Sequence, residues 1–491
     1  MTRSAIGVGL VALVCAIAAQ VAAHSTDMVL AFWDAQSHLD IARRVFDATT
    51  PGLQMLGTVW LPVPHLLYLP FTLVDPWWWN GLAGGIVGCI AFVVTAIAIH
   101  DLASRRGGHV AGLVAATVVI VNPSLLYLQA TAMTEPLLLA FLTASVAMLD
   151  RWWIAPTNLR ALQWSGVAAA MAVGSRYDGW FYVAMAAPMV LWHARSIRVA
   201  CRFALFPALM VAAWLIYNWH YFGDPLEFQR GVWSAASQQA GLADQGLLPT
   251  KGHLLLSVGY YLGAVGLTVG VVPCVTSIAG LYQAIRRRIH VPLVLLGSAF
   301  LFNILSLWAG QSVIALPWTT PAGVLNVRYG IMLLPAVALG LGLLAAAAGT
   351  VRRLSAWLVV IAGLQAALWG WQFPSQVGAF REGRAIRDGD RVQMDASIWL
   401  QEHYDRGRVL VAPAVNVSPR SRIAMRDRVY PWSWELGPAA LAEPASVVDW
   451  VIVDTRNPSD PVSVAVAADT TFQRHFLRAF ERQGLEIWQR R

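Results

Sequence analysis

A series of long apolar runs, joined by connectors of which every second one is rich in arginine, constrains this chain more than any other feature. The runs lie near 4–23, 80–100, 109–128, 136–150, 162–174, 180–194, 203–217, 256–283, 291–309, 329–348 and 354–371. A full helical crossing of a bilayer takes roughly 17–25 mostly apolar residues. Shorter runs such as 162–174 gain length from flanking arginines, here Arg160 and Arg176, whose head groups reach back to the interface. Hydrophobic residues form 57% of the chain and charged residues 13%, against about 25% charged in soluble domains. One large soluble core is excluded, and a polytopic α-helical membrane protein of about eleven spans is predicted.

The connectors set the orientation. Arg105-Arg106, Arg151 with Arg160, Arg195/Arg198/Arg202, Arg286-Arg287-Arg288 and Arg352-Arg353 fall in alternate connectors. Short arginine-rich loops face the cytoplasm, so 24–79, 127–135, 175–179, 218–257, 310–328 and the tail after Phe373 face out. This predicts a multi-pass protein of the cell inner (plasma) membrane with an extracytoplasmic tail. The apolar run before His24 is longer than a signal-peptide core and is taken as a first span. Lys251 is the only lysine, and no basic run with interleaved aromatics points to nucleic acid. Cys15, Cys89, Cys201 and Cys274 sit in apolar runs at unrelated spacings, which suits neither a zinc motif nor disulfides.

Two domains are expected: 1–372 in the membrane, carrying external loop 24–79, and 373–491 as a small extracytoplasmic α/β domain. In the tail, Gln393–Tyr404 has a helical pattern, and Arg408–Ala412 and Trp450–Asp454 are apolar runs typical of buried strands. A helix near Thr471–Gln483 and a strand at Leu485–Gln489 would complete the layer. No glycine-rich phosphate loop follows either strand, so the tail is not expected to bind nucleotide.

Loop 24–79 is too polar to cross a bilayer. Leu39, Ala42, Val45 and Phe46 recur at helical spacing, which predicts an amphipathic helix over about 36–48 on the membrane surface. Trp77-Trp78-Trp79 suits an interfacial aromatic belt. Across the outward connectors the ionisable residues are Asp34, His38, Glu135, Arg176, Asp178, Glu227, Lys251, His253 and Arg328. Several lie within a turn of a span, where such residues tend to face a polar cavity or one another.

Trp33-Asp34-Ala35-Gln36-Ser37-His38, Ile41-Ala42-Arg43-Arg44 and Gly57-Thr58-Val59-Trp60-Leu61-Pro62 resemble the first external loop of the type C glycosyltransferases. The likeness is to the protein mannosyltransferase and aminoarabinose transferase group. Met133-Thr134-Glu135-Pro136-Leu137, Ser175-Arg176-Tyr177-Asp178-Gly179-Trp180 and Asn326-Val327-Arg328-Tyr329 resemble that group in the same order. The resemblance implies an enzyme that takes a sugar, such as the hexose mannose, from a polyprenyl-phosphate carrier and passes it with inversion to a protein, glycan or lipid acceptor. It implies that Asp34 is the loop carboxylate of the reaction. Some members use a divalent ion such as Mg or Mn and others do not; Gln36 stands where a DxD pair would place its second carboxylate, which leaves the metal open.

The chemistry asks for the same residue types. A hydroxyl attacking an anomeric carbon needs a carboxylate within reach of its proton, and the departing phosphate needs cationic stabilisation. Asp34 is the candidate base and Glu135 a second catalytic candidate, able to bind acceptor or metal. The bland accounts are that Asp34 caps a helix beginning near Ala35 and that Glu135 complements a helix dipole ahead of Pro136. Arg328 suits a phosphate, since a planar guanidinium grips two oxygens; Lys251 and His253 are weaker candidates for it. Arg176 and Asp178 bind substrate or simply pair, and His38, four residues after Asp34, orients it or is an ordinary histidine. The alternative from another class, a lipid or glycan flippase, expects inverted repeats and mid-membrane charges, which the sequence does not display.

Overall fold

The computed structural model describes residues 2–320, 322–347, 353, 360 and 377–491. The expected span 354–371, apart from Val360, and the expected boundary at 372/373 lie outside them. The chain forms two compact units interleaved along the sequence: one of residues 1–26, 58–67 and 85–383, the other of 27–57, 68–84 and 384–491.

The first unit is helical. Among the described residues seven helices are long and apolar enough to cross a membrane, from Arg3–Ser25 and Leu82–Gly107 to His290–Trp308 and Val327–Ala347. Several predicted runs are interrupted where polar groups or glycine intervene. The run 109–128 breaks at Asn122, whose side chain caps Pro123–Leu128 through the Leu125 amide at 2.9 Å and donates to the Thr268 carbonyl at 3.0 Å. The run 256–283 contains a π-helical turn at Gly266–Gly270, and 329–348 opens as the 3-10 stretch Val327–Leu333. Helices approach closely through small residues, as membrane helices do where dispersion replaces the hydrophobic drive. A Cβ on Gly280 would collide with the Gly340 carbonyl, and one on Gly342 would press on the Ala111 backbone. At the arginine-rich end, Arg105 and Arg106 pair with Asp150, while Arg105 and Arg151 pair with Asp101.

The second unit is an α/β layer that also takes in residues 27–57 and 68–84. Its sheet has the order β2-β1-β3-β5-β4, with β1 (Val409–Val411), β2 (Arg428–Val429), β3 (Trp450–Asp454), β4 (Phe476–Arg482) and β5 (Leu485–Arg490). The first three pair in parallel and the last two run antiparallel. All residues of β1 and β3 are buried, which is why they appear as unbroken apolar runs. The helix expected over 471–483 is mostly a strand; only Phe472–His475 is helical. Phe472, Phe476 and Phe480 are spaced by four, which satisfies a strand period as well as a helical one. Gln483 and Gly484 both take positive φ, the requirement of a tight type I′ hairpin, and this turn fixes the strand.

The loop helix spans Trp33–Arg44, three residues ahead of its predicted start. Ala35, Leu39, Ile41 and Ala42 are buried, and the helix lies against the 3-10 turns Pro419–Ser421 and Met425–Asp427 of the tail, where its polar residues Gln36 and Asp40 bond Asn416 and Arg428. Its polar side is thus not left to solvent, as a helix lying free on the membrane surface would leave it. Trp78 is likewise not a belt residue: it is 1% exposed and donates its indole N–H to Asp40 at 3.0 Å.

Candidate active site

Three of the motifs, those around Glu135, Arg176 and Arg328, meet within the first unit in one buried chain of alternating charge. Glu135 opens the helix Glu135–Ile154, and Arg176 precedes the helix Tyr177–Ala194, whose first turn holds Asp178. Arg176 Nη1 lies 3.2 Å from Glu135 Oε1 and 3.1 Å from Thr134 Oγ1, while its Nε donates to Asp178 Oδ2 at 3.1 Å. Asn303 donates its amide to Asp178 Oδ1 at 3.0 Å. Arg328 Nε stands 3.3 Å from the same Glu135 oxygen, and its Nη1 pairs with Glu382. The Tyr329 ring lies 5.1 Å from both guanidinium carbons. Glu135, Asp178, Arg328 and Glu382 are all 3% exposed or less.

Glu382 is the member that sequence reading missed. It accepts the backbone N–H groups of Asn326 at 2.8 Å and Arg328 at 3.0 Å as well as the Arg328 guanidinium. Asn326 is in the left-handed region at φ 55°, so this carboxylate braces a backbone that a non-glycine residue seldom adopts. Burial pushes the Glu382 carboxyl up, and the charge and N–H groups of Arg328 pull it part of the way back. Its helix, Gly378–Gly389, is seated closely: Gly378 abuts the Leu267 carbonyl and Gly383 the Tyr127 hydroxyl, and neither leaves room for a Cβ. Nothing in Phe380-Arg381-Glu382-Gly383-Arg384 distinguishes this residue from a surface carboxylate. Asn303 did carry a signal, as an amide inside the apolar run 291–309.

Three carboxylates and two guanidiniums leave this cluster one negative charge in excess when all are ionised. The Arg328 charge is therefore balanced within the cluster by Glu135 and Glu382. Glu135 Oε1 faces both arginines, whereas its buried Oε2 has no hydrogen-bond partner among the described residues. Among the described residues no group of three or more His, Cys, Asp or Glu side chains is placed to hold a metal ion. Lys251 and His253 are exposed, and the structure does not bring them into the chain of charges.

In the second unit, Asp34 is partly exposed in the first turn of Trp33–Arg44, and the cap position is Phe32 rather than Asp34. A carboxylate there is favoured by the helix dipole without capping an N–H. His38 is one turn on and 3% exposed. Trp33, beside Asp34, donates its indole N–H to Asp390 at 2.9 Å. Asp40 accepts from Trp78 on one oxygen and from Arg428 Nη1, at 2.8 Å, on the other. Burial pushes the Asp40 carboxyl up while Arg428 draws it down.

The whole chain is similar in architecture to ArnT from Cupriavidus metallidurans bound to undecaprenyl phosphate. The TM-score is 0.54 at 13% identity, covering 96% of this chain and 97% of that one. The apo state of ArnT gives 0.53 at 14%, covering 92% of each chain. The Archaeoglobus fulgidus oligosaccharyltransferase in complex with Zn and sulfate gives 0.50 at 11%, covering 91% of this chain and 68% of that one. The chain has the type C glycosyltransferase fold. No protein-family model and no curated protein matches the sequence. The type C fold accounts for a helical membrane protein ending in a small α/β domain. At these identities the likeness concerns architecture, and it assigns no residue.

Proposed function

We propose that this protein is an inverting glycosyltransferase of the inner membrane, moving a sugar from a polyprenyl-phosphate carrier to a protein, glycan or lipid acceptor on the outer face. A hexose such as mannose is the sugar we assign. The observation that carries the reading is the likeness, along nearly the entire chain, to a structure holding undecaprenyl phosphate. In the reaction the acceptor oxygen forms a bond to the anomeric carbon as the bond from that carbon to the phosphate oxygen breaks. The electron pair leaves on the polyprenyl phosphate, and the acceptor proton passes to Asp34.

Asp34 suits this role because it is reachable by solvent yet carried on a helix, with His38 buried one turn on. Arg328, whose guanidinium pairs with Glu382, is the group we assign to the departing phosphate. Glu135, Arg176 and Asp178 hold Arg328 in place. To Lys251 and His253, both exposed and outside this cluster, we assign only a secondary contact with the carrier phosphate. No step is routed through a metal.

The test is transfer from labelled polyprenyl-phosphate sugars to membrane extract by the purified protein. Asp34→Asn is expected to lower turnover by about 100-fold or more, the scale of general base catalysis, while leaving carrier binding nearly intact. Turnover equal to wild type in that variant removes Asp34 from the mechanism.

A further inference from the structure

The second unit places carboxylates of the first external loop opposite arginines of the C-terminal domain. Arg420 grips Asp27, Arg426 Nη1 bonds Asp47 at 3.0 Å, and Arg428 Nη1 bonds Asp40 at 2.8 Å. Asn416 adds a contact to Gln36 at 3.3 Å, and Asp390 takes the indole N–H of Trp33. Residues 357 to 393 positions apart are thus joined at five places along one stretch of loop.

Arg428 is the most constrained of these partners. It is 3% exposed, and besides Asp40 it donates to the carbonyls of Val417 at 2.8 Å and Ile423 at 3.2 and 3.3 Å. Every arm of its guanidinium is spent, so its position is fixed by the sheet that carries it as β2. Asp40 passes that constraint to the loop helix and, through Trp78, to the short helix Asp75–Trp79. Arg43 and Arg428 both lie over the Trp78 ring, at 5.0 and 5.7 Å. Asp40 follows Asp34 by six residues, about 9 Å along one helix, so holding one end sets both the rotation and the advance of the other.

We propose that the C-terminal domain is the element that positions the first-loop helix, and that Arg428, acting through Asp40, is a positioning residue for Asp34. This rests on the reading of Asp34 as the acceptor base. A shift of about 1 Å in a reacting group can lower a rate about 100-fold, so a slackened helix is costly even when the fold survives.

The experiment compares full-length wild type, Arg428→Ala, Arg428→Lys and Asp40→Asn by hydrogen exchange and by transfer kinetics. Asp40→Asn keeps the side-chain shape and all the Arg428 bonds to Val417 and Ile423, so the sheet is left intact. The amides of 33–44 are expected to exchange at least tenfold faster in Arg428→Ala and Asp40→Asn, while those of 450–454 stay protected as in wild type. Turnover should fall about 100-fold with KM changed less than threefold, and lysine, which supplies charge without the fork, should recover part of it. Unchanged exchange over 33–44 overturns the positioning role, and so does faster exchange with wild-type turnover. A wild-type protein that transfers no sugar refutes the transferase reading instead, and the exchange comparison still decides whether Arg428 holds the helix.

Discussion

Removing Arg328 should expose how strongly the buried charges depend on one another. Its guanidinium stands between Glu135 and Glu382, both 0% exposed, with the Glu135 oxygen 3.3 Å from Nε. At that distance the gross attraction is about 5 kcal/mol for an effective dielectric of about 20, and most of it offsets the desolvation of the charges. What emerges on deleting one partner is the cost of the charge left behind, about 3–5 kcal/mol. Glu135 keeps Arg176, whereas Glu382 is left with the two backbone N–H groups, so Glu382 bears most of the loss. Its carboxyl, already pushed up by burial, rises further and takes a proton, which places the expected destabilisation of Arg328→Ala near 3 kcal/mol. Glu382→Ala should then cost much less on the Arg328→Ala background than in wild type, with a coupling of about 1–3 kcal/mol. Reversible unfolding in mixed micelles, titrated with sodium dodecyl sulfate, measures the four corners of the cycle. Additive losses, or an Arg328→Ala loss below about 1 kcal/mol, would refute the reasoning.

Two other perturbations test separate parts of the fold. Partial burial pushes the Asp390 carboxyl from its ordinary 3.8 up to about 6, against the Trp33 hydrogen bond and the charge of Arg456, which pull it down. The folded protein therefore holds this proton more tightly than the unfolded chain, and the contribution to stability falls as pH rises from about 4 to about 6 and is flat above. Asp390→Asn should melt higher than wild type at pH 7.5 and at the same temperature at pH 4; equal differences at both values would discount it. Gly280→Leu drives a side chain into the Gly340 backbone and should destabilise by about 1–3 kcal/mol in the same micelle titration, where a neutral result would mean that these helices are less closely seated.

What could be read from the sequence was whatever a single segment encodes. Lipid demands an apolar run of bilayer length, so Arg3–Ser25 and Leu82–Gly107 were visible, as were β1 and β3, whose residues are buried on both faces. The motifs at Glu135, Arg176, Asp178 and Arg328 were found as separate clues, and the structure joins them in one cluster. The loop helix begins three residues ahead of its apolar pattern, and its polar contacts escape the sequence because their partners, Asn416 and Arg428, lie 380 and 388 residues away. Glu382 was hidden for the same reason, 54 residues from the arginine it holds.

The excess of arginine over lysine also takes on a second meaning. As an orientation signal either residue would serve, since the rule counts positive charge. In the structure the arginines are used for their fork: Arg176 serves Thr134, Glu135 and Asp178 together, and Arg428 serves Asp40, Val417 and Ile423. An ammonium carries the charge but does not span three acceptors on separate segments in fixed geometry. Lys251, the one lysine, is exposed and belongs to neither network. Joining distant segments by buried guanidiniums is a demand the fold makes in both units, and it favours arginine at positions where topology alone would be indifferent.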